Sequence, residues 1–150
     1  MVAAMSDVMG HGLVDAMTLS GAIHWLALLG LCAAYLQGGF NKATDFPGAV
    51  REMEHFGLSP AAPLAAATIA LELGASALIL SGHYRWLGAL MLAGFTVLAT
   101  VKANGFWRMA QPERFSAANS FFEHLGLVGG FVLVAWHDLQ PTAFLGHTPS

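Results

Sequence analysis

The sequence predicts an all-α membrane protein, namely an up-and-down bundle of four transmembrane helices with a short interfacial amphipathic helix between the first two. Of its 150 residues, 56% are hydrophobic and only 10% are charged, whereas a soluble domain usually has about 25% charged residues. Four apolar stretches also approach the length of roughly 20 residues that a helix needs to cross a membrane. Helices suit that environment because their backbone polar groups are bonded within the segment.

The four predicted membrane helices cover about residues 19–40, 61–80, 84–101 and 120–136. The link Ser81-Gly82-His83 is so short that the second and third helices must be antiparallel neighbours. We expect one membrane domain over residues 1–150, with flexible tails at 1–18 and 138–150. A soluble helical core is the alternative, but four almost uncharged segments leave no polar face for water.

The link between the first two membrane helices has an amphipathic pattern. Among its charged residues, apolar side chains recur at helical spacing, at Phe46, Val50, Met53 and Phe56. Pro47 is placed where a first helical turn tolerates proline, and Gly57 is a stop signal. The pattern predicts a helix over residues 47–57 that lies at the membrane surface.

Small residues recur on two of the predicted membrane helices, and such residues let helix backbones approach closely in lipid. On the second helix they are Ala62, Ala66, Ala70 and Gly74. On the fourth helix they are Gly126 and Gly130. We expect both sets to lie at helix–helix contacts.

Composition also excludes several functions. The net charge of −3, without a basic run, disfavours nucleic acid as a partner, since phosphate binding needs clustered Lys and Arg. The single cysteine, Cys32, provides neither a disulfide nor a Cys-x-x-Cys redox motif, and we interpret it as a packing residue. No P-loop, Gly-x-Ser-x-Gly or His-Glu-x-x-His motif supports a self-contained kinase or hydrolase.

The orientation prediction rests on the basic residues. Those on the side of the two longer links are Lys42, Arg51, Lys102, Arg108 and Arg114, and Arg85 lies on the side of the termini. Because cytoplasmic loops carry the excess of Lys and Arg, this distribution favours cytoplasmic links and external termini. A bacterial inner (cytoplasmic) membrane is the expected location.

Glu72 is the first candidate for chemistry, because an ionisable side chain inside a membrane is costly and marks a functional position by default. It lies near the middle of the second helix, with Thr68 and Ser76 one turn on either side. An isolated carboxylate there must be protonated, hydrogen-bonded or paired with a cation.

Further polar residues converge on Glu72, because an up-and-down bundle brings the relevant helix ends to one side. The candidate catalytic cluster is Lys42, Glu72, Lys102, Glu123 and His124. We expect Glu72 to be joined to Lys42 or Lys102, directly or through a short polar chain. The cluster suits a quinone head group or a proton relay, and the alternative is an ion-pair network that fixes helix register.

Side chains near this cluster are candidate contacts for the cofactor, namely Asn41, Asn104, Asn119 and Trp107. On the opposite side of the membrane, His24 and His137 start the first helix and end the fourth. Two histidines on facing helices are suitable ligands for haem or a metal such as copper or zinc. Their spacing matches no metal-binding motif, so haem or copper is the less favoured cofactor and quinone the favoured one.

Over roughly residues 25–137 the chain resembles the DoxX family of small membrane proteins. The motifs that carry the resemblance are Gly38-Gly39-Phe40-Asn41-Lys42, Phe56-Gly57-Leu58, Leu71-Glu72-Leu73-Gly74, Gly82-His83-Tyr84-Arg85-Trp86, and Glu123 with Gly126. The chain departs from the family pattern in lacking an arginine early in the first helix, where His24 lies nearby. The resemblance implies a four-helix membrane fold. It also implies quinone-linked redox work, because the family is named after a small subunit of an archaeal thiosulfate:quinone oxidoreductase.

We therefore expect a small integral membrane subunit of a quinone-linked respiratory or oxidoreductase assembly. It would contact membrane lipid and other subunits, and a partner would supply the redox centre, so the chain is not expected to be a complete enzyme. One alternative is a structural anchor or assembly subunit without chemistry of its own. Another is a metal-handling or transport protein that uses the histidines.

Overall fold

The computed structural model describes the backbone of residues 2–140 and the side chains of residues 18–140. This part of the chain is helical and contains no strand. Its α-helices are α1 (Val2–Thr44), α2 (Phe46–His55), α3 (Ala61–Ser81), α4 (Arg85–Ala103) and α5 (Glu113–Leu139). A short 3-10 helix, Phe106–Arg108, lies between α4 and α5.

Four of the described helical segments are long and apolar enough to cross a membrane, at Thr18–Thr44, Ala61–Ser81, Arg85–Arg108 and Glu113–Leu139. Large apolar side chains such as Leu98 and Leu133 are exposed on the outside of the bundle, and such a surface contacts lipid instead of water. The prediction of an all-α, four-helix integral membrane protein is confirmed.

The bundle has two sides, which we name from the chain path. The connection side carries α2 and the link over residues 104–112, and the terminal side carries the short link over residues 82–84. Helix α1 packs along α3, α3 along α4, and α4 along α5, whereas α1 and α5 contact each other only briefly. The four spanning helices therefore form a bundle that is incompletely closed between α1 and α5.

The core of the bundle receives fully buried side chains from every spanning helix. These side chains include Cys32, Ile79, Leu92 and Phe131, each 0% exposed. The thiol of Cys32 is thus a packing residue in the core, as its apolar surroundings in the sequence predicted.

Helix α2 forms where the amphipathic pattern predicted a helix. Asp45 caps its start by accepting a hydrogen bond from the Gly48 backbone N–H at 3.0 Å. Ala49 and Met53 are buried against Ala65 of α3. The apolar face of α2 is therefore packed on the bundle, which fixes this helix across the connection side.

The link between α3 and α4 reverses the chain in three residues. Gly82 ends α3 with φ 78°, a left-handed conformation that favours glycine, and Tyr84 also has a positive φ of 51°. The two helices then approach closely at Gly88, where a Cβ atom would lie 2.6 Å from the Ala75 carbonyl oxygen. They are the antiparallel neighbours that the short link predicted.

Two predicted helix starts were wrong. Helix α1 begins at Val2 and not near residue 19, and the added stretch contains no proline, whereas the flexibility of residues 1–18 stays a prediction. The fourth membrane helix begins at Glu113, seven residues before the predicted start. Its first two turns contain polar residues, so they were not part of the apolar stretch from which the helix was predicted. The predicted tail at 138–150 lies outside the described residues from residue 141 onward.

The prediction that the small residues of α3 form a packing contact was also wrong within this chain. All members of the stripe are exposed, at Ala62, Ala66, Ala70 and Gly74. The buried face of α3 instead includes Glu72 and Ser76, so the polar stripe faces the bundle and the small stripe faces outward. On α5, Gly130 lies in a helix contact and Gly126 has open space around it.

Candidate functional site

Lys42 of α1 and Glu72 of α3 form an ion pair inside the bundle. The Lys42 Nζ atom lies 3.2 Å from Glu72 Oε1 and 3.3 Å from Oε2. The side chains are 18% and 6% exposed, respectively. The prediction that Glu72 is joined to one of the two lysines is confirmed, with Lys42 as the direct partner.

Two consecutive glycines of α1 make this pairing fit. At Gly39 a Cβ atom would lie 2.8 Å from Leu73 Cδ2, so the absence of a side chain lets α1 pack tightly on α3. At Gly38 a Cβ atom would lie 3.4 Å from Lys42 Nζ and 3.5 Å from Glu72 Oε2. Gly38 thus leaves the ion pair uncovered at this position.

A cavity of about 670 Å³ adjoins the uncovered side of the ion pair. The side chains of Lys42, Glu72, Thr68 and His124 contribute its polar groups inside the bundle. Lys102 and Glu52 lie at its edge, where both residues are exposed.

The rest of the cavity wall is apolar. α4 contributes Phe95 and, at the rim, the exposed Leu98. α5 contributes Leu127, and α2 covers the cavity with Met53 and Phe56. A pocket with mostly hydrocarbon walls and a few placed polar groups is typical of a binding site for an organic molecule.

A chain of hydrogen bonds closes the cavity towards the middle of the membrane. The Thr96 hydroxyl donates to the Leu92 carbonyl oxygen at 2.6 Å, so it accepts the hydrogen bond from the Tyr35 hydroxyl, also at 2.6 Å. The Tyr35 ring packs edge-on against Phe131, with centroids 5.4 Å apart. Tyr35 thus joins α1 to both α4 and α5 at the floor of the cavity.

His124 has one ring nitrogen committed to its own helix. Its Nδ1 atom lies 2.6 Å from the Ser120 carbonyl oxygen. Because a carbonyl oxygen only accepts, Nδ1 carries the proton of this bond. In the neutral ring Nε2 then has the free lone pair, and no hydrogen bond to Nε2 occurs among the described residues. The Asn104 amide nitrogen lies 3.5 Å from Nδ1.

The remaining predicted residues lie farther from the cavity. Glu123 is exposed on α5 and does not line the cavity. Asn41, Asn119 and Trp107 are also exposed and outside the lining. Trp107 instead joins an aromatic group on the connection side, where its ring centroid lies 5.8 Å from that of Phe121.

His24 and His137 do lie together, on the terminal side. Their ring centroids are 6.4 Å apart and the rings are tilted by 51°. Both residues are exposed. Among the described residues no group of three or more His, Cys, Asp or Glu side chains is arranged to hold a metal ion. A ligand for this histidine pair stays a prediction.

Sequence reasoning missed two residues that organise the bundle. Tyr35 was missed because it looks like one more apolar position, although it lies seven residues, two helical turns, before Lys42. Asp138 accepts a hydrogen bond from the Trp86 backbone N–H at 3.0 Å and lies 3.9 Å from Arg85 Nη1. A lone acidic residue at the end of an apolar helix was the available signal for it.

Comparison with known proteins agrees with this architecture. The model of the DoxX family matches residues 24–105, which include Lys42, Glu72 and Lys102. No curated protein and no solved structure matches the chain. Since the family match covers more than half of the 150 residues, this integral membrane protein belongs to the DoxX family.

Proposed function

We propose that the chain is a membrane subunit of a quinone-linked oxidoreductase assembly, and that its cavity binds the quinone head group. The observation that carries this proposal is the apolar cavity of about 670 Å³ with the Lys42–Glu72 ion pair in its wall. Cavities that bind small organic molecules typically measure roughly 300–1,000 Å³. The proposal places the reducing or oxidising centre on a partner subunit.

The polar groups suit a quinone. An ammonium group has three N–H donors, and two of those on Lys42 are used by the oxygens of Glu72. The third is available to a quinone carbonyl oxygen, which only accepts. His124 Nε2 offers the complementary acceptor for a quinol hydroxyl, while the apolar wall around Phe95 and Leu127 suits the ring and its chain.

The same residues can handle the protons of the reaction. Reduction of a quinone to a quinol takes two electrons and two protons, and the partner subunit would supply the electrons. Lys42 can give a proton to a quinone oxygen and become a neutral amine, and Glu72 can then take up a proton from the water side and pass it to that amine; two such cycles supply both protons. The exposed Glu52 and Lys102 at the cavity edge lie where such protons would enter from water.

A purely structural role for the ion pair is the second candidate, and the close packing of Gly39 on Leu73 supports it. The pair joins α1 to α3 across 30 residues of sequence. Removing one member of a buried pair typically costs about 3–5 kcal/mol, because its partner is left without compensation. A structural pair therefore predicts loss of assembly before loss of turnover.

Two substitutions of Glu72 separate the candidates. Glu72→Gln keeps the shape and hydrogen-bonding capacity of the side chain, and Glu72→Leu removes both. In membranes that contain the native complex, the quinone role predicts that Glu72→Gln assembles normally but reduces quinone poorly. Glu54→Gln is the matched control, because Glu54 is exposed and lies outside the cavity lining.

Subunit content by native gel electrophoresis and quinone reduction by absorbance provide the two readouts. Normal quinone turnover in Glu72→Gln, with assembly lost only in Glu72→Leu, would contradict the quinone role and leave the structural role. Impaired turnover in Glu54→Gln as well would show that the effect is not specific to the cavity.

We also propose that the protein resides in a bacterial inner membrane with its termini outside. Lys102, Arg108 and Arg114 are exposed on the connection side, whereas Arg85 on the terminal side is half-buried beside Asp138. The positive-inside rule then favours a cytoplasmic connection side. Reporter fusions at residue 58 and after residue 140 test this, and a reporter active outside the cell at residue 58 would reverse the orientation.

A further inference from the structure

Helices α1 and α5 contact each other at positions that follow a regular register. His24 faces His137, with ring centroids 6.4 Å apart. Seven residues later on α1, Leu31 faces Gly130, where a Cβ atom would lie 3.1 Å from Leu31 Cδ1. Seven residues are about two helical turns. Moving two turns forward along α1 therefore leads to a contact two turns earlier on α5, as expected for antiparallel helices.

The next step of this register falls at Gly38 and Glu123, and there the helices do not meet. The three heavy atoms nearest to a Cβ on Gly38 belong to Lys42 and Glu72, and none of the three is from α5. Glu123 is exposed and lies outside the cavity lining. The last contact before this level is the ring contact between Tyr35 and Phe131, and the cavity occupies the space beyond it.

Small residues border this opening. Ala34 of α1 is exposed and also lines the cavity, so it lies on a path between the cavity and the outside of the bundle. On α5, Gly126 lies one helical turn before Gly130, on the same side of the helix, and it is exposed with no heavy atom within 4 Å of the position that a Cβ would take. Because this level lies within the spanning segments of both helices, what is outside the opening is lipid.

We infer that the gap between α1 and α5, from the Tyr35–Phe131 contact to Lys42, is a lateral portal through which a quinone enters from the bilayer. The isoprenoid chain remains in the gap beside Ala34 and Leu127 while the head group reaches Lys42 and Glu72. This inference rests on the proposed function. An isoprenoid chain is the occupant that fits, because the gap joins an apolar cavity to lipid and the chain never has to enter water.

A tryptophan in the gap tests the portal. Ala34→Trp places a large ring in the opening, and Ala33→Trp places the same ring at the adjacent exposed position that does not line the cavity. The full chain in nanodiscs is mixed with decylubiquinone or with its chainless dimethoxy-methyl-benzoquinone parent. We expect decylubiquinone to associate with Ala34→Trp at least about tenfold more slowly than with the unsubstituted protein. The chainless quinone should associate with Ala34→Trp at the unsubstituted rate, and Ala33→Trp should bind both quinones at that rate.

A second pair of variants protects the test against a folding defect at Ala34. Gly126→Trp blocks the gap from α5, and Gly129→Trp is its control, since neither glycine has a heavy atom within 4 Å of its Cβ position. Unchanged decylubiquinone association in both blocking variants would overturn the portal and leave the quinone site standing. Equal slowing of the chained and the chainless quinone would also overturn it, because the tryptophan would then fill the cavity itself. If the unsubstituted protein binds neither quinone, both the proposed function and the portal are overturned.

Discussion

The two halves of the α1–α5 contact differ although the same two helices form both. On the terminal side the helices meet at Leu31 and Gly130, and the Tyr35 ring packs on the fully buried Phe131. On the connection side they separate around a cavity of about 670 Å³. There α1 is held by α3 instead, through the Lys42–Glu72 ion pair.

This difference shows how the bundle tolerates an opening inside the membrane. In lipid, helices associate through close packing and polar contacts, and not through the expulsion of water. The terminal half supplies the packing between α1 and α5. The connection half replaces it with the close approach of Gly39 to Leu73 and with one ion pair. The two halves should therefore respond differently to the same kind of substitution.

The largest difference is expected between two neighbouring positions of α5. Phe131 is fully buried in the terminal half, whereas Leu127, one turn earlier, already lines the cavity. Phe131→Ala should lower the free energy of unfolding by about 3 kcal/mol, because it leaves a new void in a packed core. Leu127→Ala should cost less than about 1 kcal/mol, since it only enlarges an existing space.

Equilibrium unfolding in mixed micelles measures both values. Leu133→Ala, at a position 69% exposed on the outside of α5, is the control and should change little. Similar costs at Phe131 and Leu127 would mean that the connection half is packed as tightly as the terminal half.

The hydrogen bond at the boundary of the two halves should contribute less. Tyr35→Phe removes the hydroxyl that donates to Thr96 but keeps the ring contact with Phe131. Thr96 still donates to Leu92, so no buried donor is left unpaired. We expect a loss of about 1 kcal/mol in unfolding free energy, while Tyr84→Phe, in the exposed link, should have no measurable effect. A loss as large as that in Phe131→Ala would place the main α1–α5 attachment at this bond.

The smallest effect is expected at the two glycines of α5. A methyl group at Gly130 would lie 3.1 Å from the end of the Leu31 side chain, which can move, so Gly130→Ala should cost less than about 1 kcal/mol. Gly126→Ala meets no atom within 4 Å and should be neutral or slightly stabilising. Equal destabilisation by both substitutions would show that α1 and α5 are also in contact at the level of the cavity.

Much of this fold could be predicted from the sequence, because each spanning segment is almost uncharged and a membrane admits few other structures. The placement of Glu72 was also predictable, since an isolated charge in lipid requires a partner. The surroundings of the small residues on α3 were not predictable. The four-residue spacing from Ala62 to Gly74 places these residues on one face of α3, but it does not show whether that face contacts another helix of the chain or lipid. In the structure the face is exposed.

The candidate site was predictable in its charges but not in its shape. The helix ends brought Lys42, Glu72, Lys102 and His124 to one cavity, as the up-and-down topology required. The cavity itself depends on where α1 and α5 separate, and that is set by packing between Tyr35 and Phe131, far apart in the sequence. Glu123, Asn41 and Asn119 lie on the same side of the membrane but outside the cavity lining. The sequence could not predict this, because it does not fix the rotation of each helix about its axis.

The Asp138 contact has a consequence for biosynthesis. The first turn of α4 has no capping side chain of its own, and the Trp86 N–H donates to a carboxylate that follows 52 residues later, at the end of α5. While a ribosome is still making the last segment, that N–H has only water at the membrane surface as an acceptor. Complete translocation of the final helix brings Asp138 to Trp86 and Arg85. The first turn of the third spanning segment thus gains its side-chain cap only after the fourth segment has inserted, and truncation before Asp138 should leave the Trp86 N–H without this acceptor.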